Sequence, residues 1–125
     1  MHRRILAVED DPSYQELLQA IFPYDDLALV SSSEQALERL AAGNFDLVIC
    51  DVFLLGESGL EFMSHIKNWD PAIPVVMISG HAQPGLEERA KSLGAAGFLS
   101  KPFAQESLIA LVDSLLKKRE GGRSA

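Results

Sequence analysis

Short, uninterrupted apolar runs alternate five times with stretches whose apolar residues recur at helical spacing, and few folds accommodate such an alternation. The runs are Ile5 to Val8, Leu27 to Val30, Leu47 to Cys50, Val75 to Ile78 and Gly97 to Leu99. Leu47-Val48-Ile49-Cys50 and Val75-Val76-Met77-Ile78 contain no polar alternation, so both of their faces must be covered. Five strand–helix units joined by right-handed crossovers predict a doubly wound α/β domain, a five-stranded parallel sheet with helices on both sides. The segment Leu27 to Val30 carries the least strand signal, because it is short and follows Asp25-Asp26.

The intervening segments carry helix start and stop signals. Pro12 suits a first turn, Tyr14, Leu17, Leu18, Ile21 and Phe22 share one face, and Pro23 stops the run. Ser31 and Glu34 form a Ser-x-x-Glu capping box for a second helix carrying Ala36, Leu37, Leu40 and Ala41, which Gly43-Asn44 ends. Phe62, Met63, Ile66 and Trp69 stripe a third, entered through Gly59 and closed before Pro71. Leu86, Ala90 and Leu93 mark a short fourth. In the fifth, Leu108, Ile109, Leu111, Val112, Leu115 and Leu116 span an arc of roughly 160° at about 100° per residue, wide enough to offer Leu111 or Leu116 to a partner. Residues 119–125 hold no large apolar side chain and are predicted as a disordered tail or the start of a linker, leaving 1–118 as the domain.

At 125 residues and 47% hydrophobic content, the chain fits one domain with its own core. Eighteen acidic against eleven basic residues give a net charge of −7, which weighs against direct binding to nucleic acid or an anionic membrane surface and favours protein partners and cations. Met1-His2-Arg3-Arg4 opens like a signal peptide, but the apolar run behind it is too short and ends in acid. No segment approaches a membrane span. Cys50 is the only cysteine and lies inside an apolar run, so it reads as a buried small hydrophobe in a reducing cytoplasm.

Polar residues gather where the apolar runs stop: Glu9-Asp10, Asp51, Ser79-Gly80 and Lys101-Pro102. Those positions are strand carboxyl ends, which line the ligand crevice of an open parallel sheet. Asp11 reads as a helix N-cap. Glu9 and Asp10 should face Asp51 on the neighbouring strand, where like charges repel unless a cation joins them; oxygen-only donors suit Mg²⁺. Asp51 follows four buried residues, where a charge is costly without partners. Capping a strand end is the plainer role, but beside a metal and an ammonium it is better read as a nucleophile. Ser79 alone would be an ordinary hydroxyl, and Gly80 leaves room beside it. Lys101, pinned by Pro102, points a compact ammonium into the crevice, where it can neutralise a phosphoryl oxygen. The Lys101-Pro102 bond is a candidate for the cis form.

Over residues 4 to about 118 the chain resembles a response-regulator receiver domain of two-component signalling, of the chemotaxis-regulator type. The resemblance is carried by Ile5-Leu6-Ala7-Val8-Glu9-Asp10-Asp11-Pro12, Asp46-Leu47-Val48-Ile49-Cys50-Asp51, Gly59-Leu60-Glu61-Phe62, Ile73-Pro74-Val75-Val76-Met77-Ile78-Ser79-Gly80 and Gly94-Ala95-Ala96-Gly97-Phe98-Leu99-Ser100-Lys101-Pro102-Phe103. It implies a flavodoxin-like (βα)5 fold with Asp51 as phosphoacceptor. It also implies Mg²⁺, or Mn²⁺ in its place, held directly by Asp10 and Asp51, through water by Glu9, and by the backbone carbonyl of Phe53. Ser79 would be the hydroxyl that turns to the phosphoryl group, Phe98 the aromatic switch residue and Lys101 the phosphate contact. The implied partners are a histidine kinase or phosphotransfer protein, and an output domain or protein met through the fourth helix, fifth strand and fifth helix. A phosphorylation-dependent dimer is within the family's range. Such a protein is a switch rather than an enzyme with outside substrates.

Two positions depart from the family pattern: Leu55 stands where a proline is usual, four residues after Asp51, and Ser79 where threonine is also common. An aspartate-based phosphatase of the same fold is the competing class, but it needs a second acid two residues after the nucleophile, where this chain has Phe53. A receiver that never takes phosphate is the other. Phe53 and His81 should flank the path of a hydrolytic water, Phe53 shielding it and His81 either orienting it or standing solvated.

Overall fold

The computed structural model describes residues 3–81 and 83–124. A central sheet is built from β1 (Arg4–Val8), β2 (Asp26–Val30), β3 (Leu47–Asp51), β6 (Val75–Ser79) and β7 (Gly97–Ser100), all parallel and ordered β2-β1-β3-β6-β7. A separate hairpin pairs β4 (Phe53–Leu54) with β5 (Glu57–Ser58). The helices are α1 (Pro12–Ile21), α2 (Ser33–Ala42), α3 (Gly59–Trp69), α4 (Leu86–Ser92) and α5 (Gln105–Ser124). The chain is thus the doubly wound α/β domain expected, and Leu27 to Val30 does form a strand.

Alternate residues of each strand serve opposite cores. Leu6, Val8, Val48, Cys50, Val75 and Met77 face α2, α3 and α4, whereas Ile5, Ala7, Leu47, Ile49, Val76 and Ile78 face α1 and α5. This explains the continuous apolar runs: with a helical layer on each side, neither side-chain set reaches water. Full burial of such a side chain is worth about 1.5–3 kcal/mol, so the two layers together dominate the stability of the domain.

Several local expectations change in detail. The N-cap of α2 is Ser32, not Ser31: its hydroxyl accepts from the Gln35 N–H at 3.2 Å while Gln35 Oε1 accepts from the Ser31 N–H at 2.7 Å. Gln35 thus bonds both the cap and the residue before it, where the Ser31–Glu34 pair was expected. Asp11 caps α1 as expected, accepting from the Ser13 N–H at 2.9 Å. Trp69 is 60% exposed and Leu37 50%, and both line a cleft of about 340 Å³ between α2 and α3 with Leu40 and Ile66. Leu116 is buried and Leu111 packs over Gly97, where an added Cβ would lie 2.7 Å from the leucine Cδ2. The apolar arc of α5 is therefore turned to the sheet, and neither leucine stands free for a partner. The backbone of α5 is helical to Ser124. Ala125 lies outside the described residues.

Candidate functional site

Every chemistry-bearing side chain leaves the carboxyl end of a central strand. Glu9 and Asp10 follow β1, Asp51 closes β3, Ser79 closes β6, and Lys101 follows β7. Strand order reverses direction at β1, so the crevice opens between β1 and β3, with Val8 level with Cys50. One carboxylate oxygen each from Glu9, Asp10 and Asp51 lies within 4.8 Å of the others.

Backbone contacts fix these groups. Asp51 Oδ1 accepts from the Phe53 N–H at 3.0 Å, and Asp10 Oδ2 from the Leu55 N–H at 2.7 Å. Gly59 opens α3 hard against the same strand end: a Cβ there would fall 1.9 Å from the Asp51 carbonyl oxygen, so any side chain would displace the Asp51 backbone. The Lys101 N–H donates to the Ser79 carbonyl at 2.7 Å, and the Lys101-Pro102 peptide is cis. The Lys101 ammonium then lies 2.7 Å from Asp51 Oδ2 and 2.9 Å from Glu9 Oε2, and 4.1 Å from the centre of the Tyr14 ring.

Glu9 is fully buried and its carboxyl is pushed up to about 7, first by that burial, against the lowering pull of the Lys101 ammonium and the Asp11 N–H. Its Oε1 accepts from the Asp11 N–H at 3.0 Å. Its Oε2 is within ion-pair range of Lys101 but has no hydrogen bond of good geometry, leaving a buried carboxylate oxygen short of a partner. Burial would lower Lys101, yet its hydrogen bonds to Asp51 and Glu9 outweigh that and raise it, so the ammonium keeps its charge. Three clustered carboxylates, one under-partnered, with no nitrogen or sulfur among the donors, fit a hard divalent cation such as Mg²⁺.

Ser79 is buried; its hydroxyl accepts from the His81 N–H at 3.1 Å and donates to the His81 carbonyl at 3.2 Å. Phe98, half-buried on β7, lines a cleft of about 410 Å³ with Pro84, Leu86 and Ser100. Phe53 and His81 meet with ring centres 4.4 Å apart and planes tilted by 55°, and both line a cleft of about 320 Å³ that reaches Asp51 and Lys101. Cys50 is buried beneath the site, its thiol pushed up chiefly by burial, as befits an inert core residue.

Three participants escape sequence reading. Tyr14 stands out there only as part of an apolar helix face, but its ring braces the ammonium and meets Phe103 at 6.0 Å. The Leu55 N–H is a backbone group with no side-chain signature beyond the absence of proline. Glu57 bonds Ser33 at the start of α2 through the Ser33 N–H at 2.7 Å and its hydroxyl. A contact across so many residues has no local pattern.

The family model for the response regulator receiver domain matches residues 5–113. The transcriptional regulatory protein ZraR of Escherichia coli (strain K12) is 36% identical over 115 residues, covering 90% of this chain and 26% of that protein. The DNA-binding response regulator MtrA of Mycolicibacterium smegmatis is 32% identical, over 96% of this chain and 53% of its own. A crystal structure of NtrX from Brucella abortus superposes with a TM-score of 0.91 at 30% identity, over 99% of this chain and 29% of that one. A CheY-like receiver domain protein from Methanospirillum hungatei gives a TM-score of 0.90 at 21% identity, which bears on the fold alone. The chain thus spans only about a quarter to a half of the length of ZraR and MtrA. With the strand-end acids, the pinned lysine and the matched sequence all in agreement, the chain belongs to the response regulator receiver domain family of two-component signal transduction.

Proposed function

We propose that Asp51 accepts a phosphoryl group from a phosphohistidine of a histidine kinase or phosphotransfer protein. The single observation that carries this is the Asp51 carboxylate held 2.7 Å from the Lys101 ammonium at the rim of a three-acid cluster. An Asp51 oxygen attacks phosphorus, the P–N bond breaks, and the histidine leaves with its electron pair. Lys101 neutralises charge on the moving oxygens, and the rest of the work is alignment. Asp10, Asp51 and the Phe53 carbonyl would hold Mg²⁺ directly and Glu9 through water, and the ion when bound supplies further charge neutralisation. Incubation with acetyl phosphate should add one phosphoryl group by intact mass when Mg²⁺ is present and none in chelator. Labelling that ignores chelation would count against the cation site.

The response is a local electrostatic event acting on a two-state element. Ser79 would exchange its bonds with the His81 backbone for a phosphoryl oxygen, and the Phe98 ring would follow into the space released. The face made by α4, β7 and α5 would then change for an output domain or protein, or for a second copy of the chain. The chain is a switch and works in the cytoplasm; among the described residues no helix is long and apolar enough to cross a membrane. DNA-binding is part of the name of MtrA, a longer relative.

The lifetime of the phosphoryl group follows from the mouth. Phe53 stands against His81 with 38% of its surface exposed, so an apolar ring covers the approach of water. Hydrolysis should be slow, and Phe53→Asn should speed it severalfold, on the order of 1 kcal/mol in the barrier. An unchanged or longer lifetime, followed by loss of label from phosphorylated protein, would show that the ring guards nothing.

A further inference from the structure

Asp10 gives one carboxylate oxygen to a donor outside its own strand. Its Oδ2 accepts the Leu55 N–H at 2.7 Å, although the two residues are far apart in sequence. The hairpin makes this donor available. Pairing of Phe53 with Ser58 and Leu54 with Glu57 leaves Leu55 and Gly56 as a two-residue turn. Gly56 has φ +78° and Leu55 does not take positive φ, which is the type II pattern. In that turn the N–H of the first central residue has no partner within the turn, so it is free to point outward. The Leu55 side chain is 90% exposed; what this residue brings to the site is its backbone. The far strand of the hairpin is tied separately, through Glu57 to Ser33 at the head of α2. The hairpin is therefore a strap anchored at α2 and closed on Asp10.

We propose, on the reading of Glu9, Asp10 and Asp51 as a divalent-cation site, that the Leu55 N–H is a latch on Asp10. It stabilises the metal-free cluster and competes with the cation for the same carboxylate. The cause is electrostatic. Three carboxylates in one cluster repel, and a short charge-assisted bond from a backbone N–H relieves part of that repulsion. The same N–H draws negative charge from the Asp10 carboxylate that would serve a cation, so it weakens that carboxylate as a metal ligand. Proline, usual at this position in the family, has no N–H to offer. This chain has thus traded metal affinity for a quieter metal-free state, and it couples metal binding to the hairpin that carries Phe53.

Two substitutions separate backbone from side chain. Leu55→Ala deletes the exposed side chain and keeps the N–H; Leu55→Pro removes the N–H at a turn position that proline favours. Calorimetric titration with MgCl₂ should show Leu55→Pro binding about tenfold more tightly than the parent, the scale expected for a charge-assisted hydrogen bond. In chelator its melting temperature should fall below the parent's. Leu55→Ala should match the parent in both measurements. Equal or weaker Mg²⁺ binding by Leu55→Pro, or an equal shift in Leu55→Ala, would overturn the latch while leaving the cation site standing. A parent that binds no Mg²⁺ at all would overturn both.

Discussion

Asp51→Asn is expected to abolish phosphoryl labelling by acetyl phosphate and Mg²⁺, with no residual label on any other residue. The change is isosteric, so the Phe53 N–H can still bond the side-chain oxygen and Glu9 still stands 2.9 Å from Lys101. The fold should therefore survive, and loss of label will report chemistry. No other carboxylate of the cluster combines the required features. Glu9 is fully buried and raised toward neutrality, a poor nucleophile at pH 7, and the Lys101 ammonium lies against Asp51 and Glu9 rather than Asp10. Intact mass and peptide mapping of parent and variant decide the matter. Equal labelling of Asp51→Asn would place the nucleophile elsewhere.

Glu9 should make the metal-free protein less stable as pH rises. Its carboxyl is raised from an ordinary 4.5 to about 7, burial being the largest cause. Between those values the folded state holds a proton that the unfolded chain has released. The stabilisation is fully present below about 4.5 and is lost as pH climbs through 7. The whole effect is on the order of 3 kcal/mol, since each tenfold difference in proton affinity between the folded and unfolded states is worth about 1.4 kcal/mol. Glu9→Gln, neutral at every pH, removes it. In chelator the variant should be the more stable at pH 8, with the gap closing toward pH 5. Chemical denaturation at several pH values measures this directly; a gap that stays constant or widens at low pH would mean Lys101 keeps Glu9 ionised throughout.

The parts of this domain that can be read from sequence are those set by local pattern. Runs such as Val75 to Ile78 announce strands buried on both faces, and their carboxyl ends announce where Asp51, Ser79 and Lys101 must gather. The less legible parts are set by geometry between elements. Leu37 and Trp69 fit a helical stripe, but the cleft between α2 and α3 leaves the edge of each stripe uncovered. Leu116 reads as available because an arc of apolar residues does not say how much of it the sheet will take. The hairpin at Phe53 to Ser58 has strands of two residues each, too short for any periodicity. Its bonds to Asp10 and Ser33 exist only once distant segments are folded together, and one of them runs through a backbone N–H that composition cannot display.

Chemistry at Asp51 should move the α4–β7–α5 face, and backbone amide spectra with and without beryllofluoride and Mg²⁺ read that movement residue by residue. Beryllofluoride occupies the place of the phosphoryl group, so Ser79 should leave the His81 backbone and Phe98 should turn inward. Signals from Gly85 to Leu116 should then shift more than those from Ala36 to Asn44, which lie on the far side of the sheet order. A response confined to the residues around Asp51, or one spread evenly through both regions, would contradict a switch coupled through Phe98.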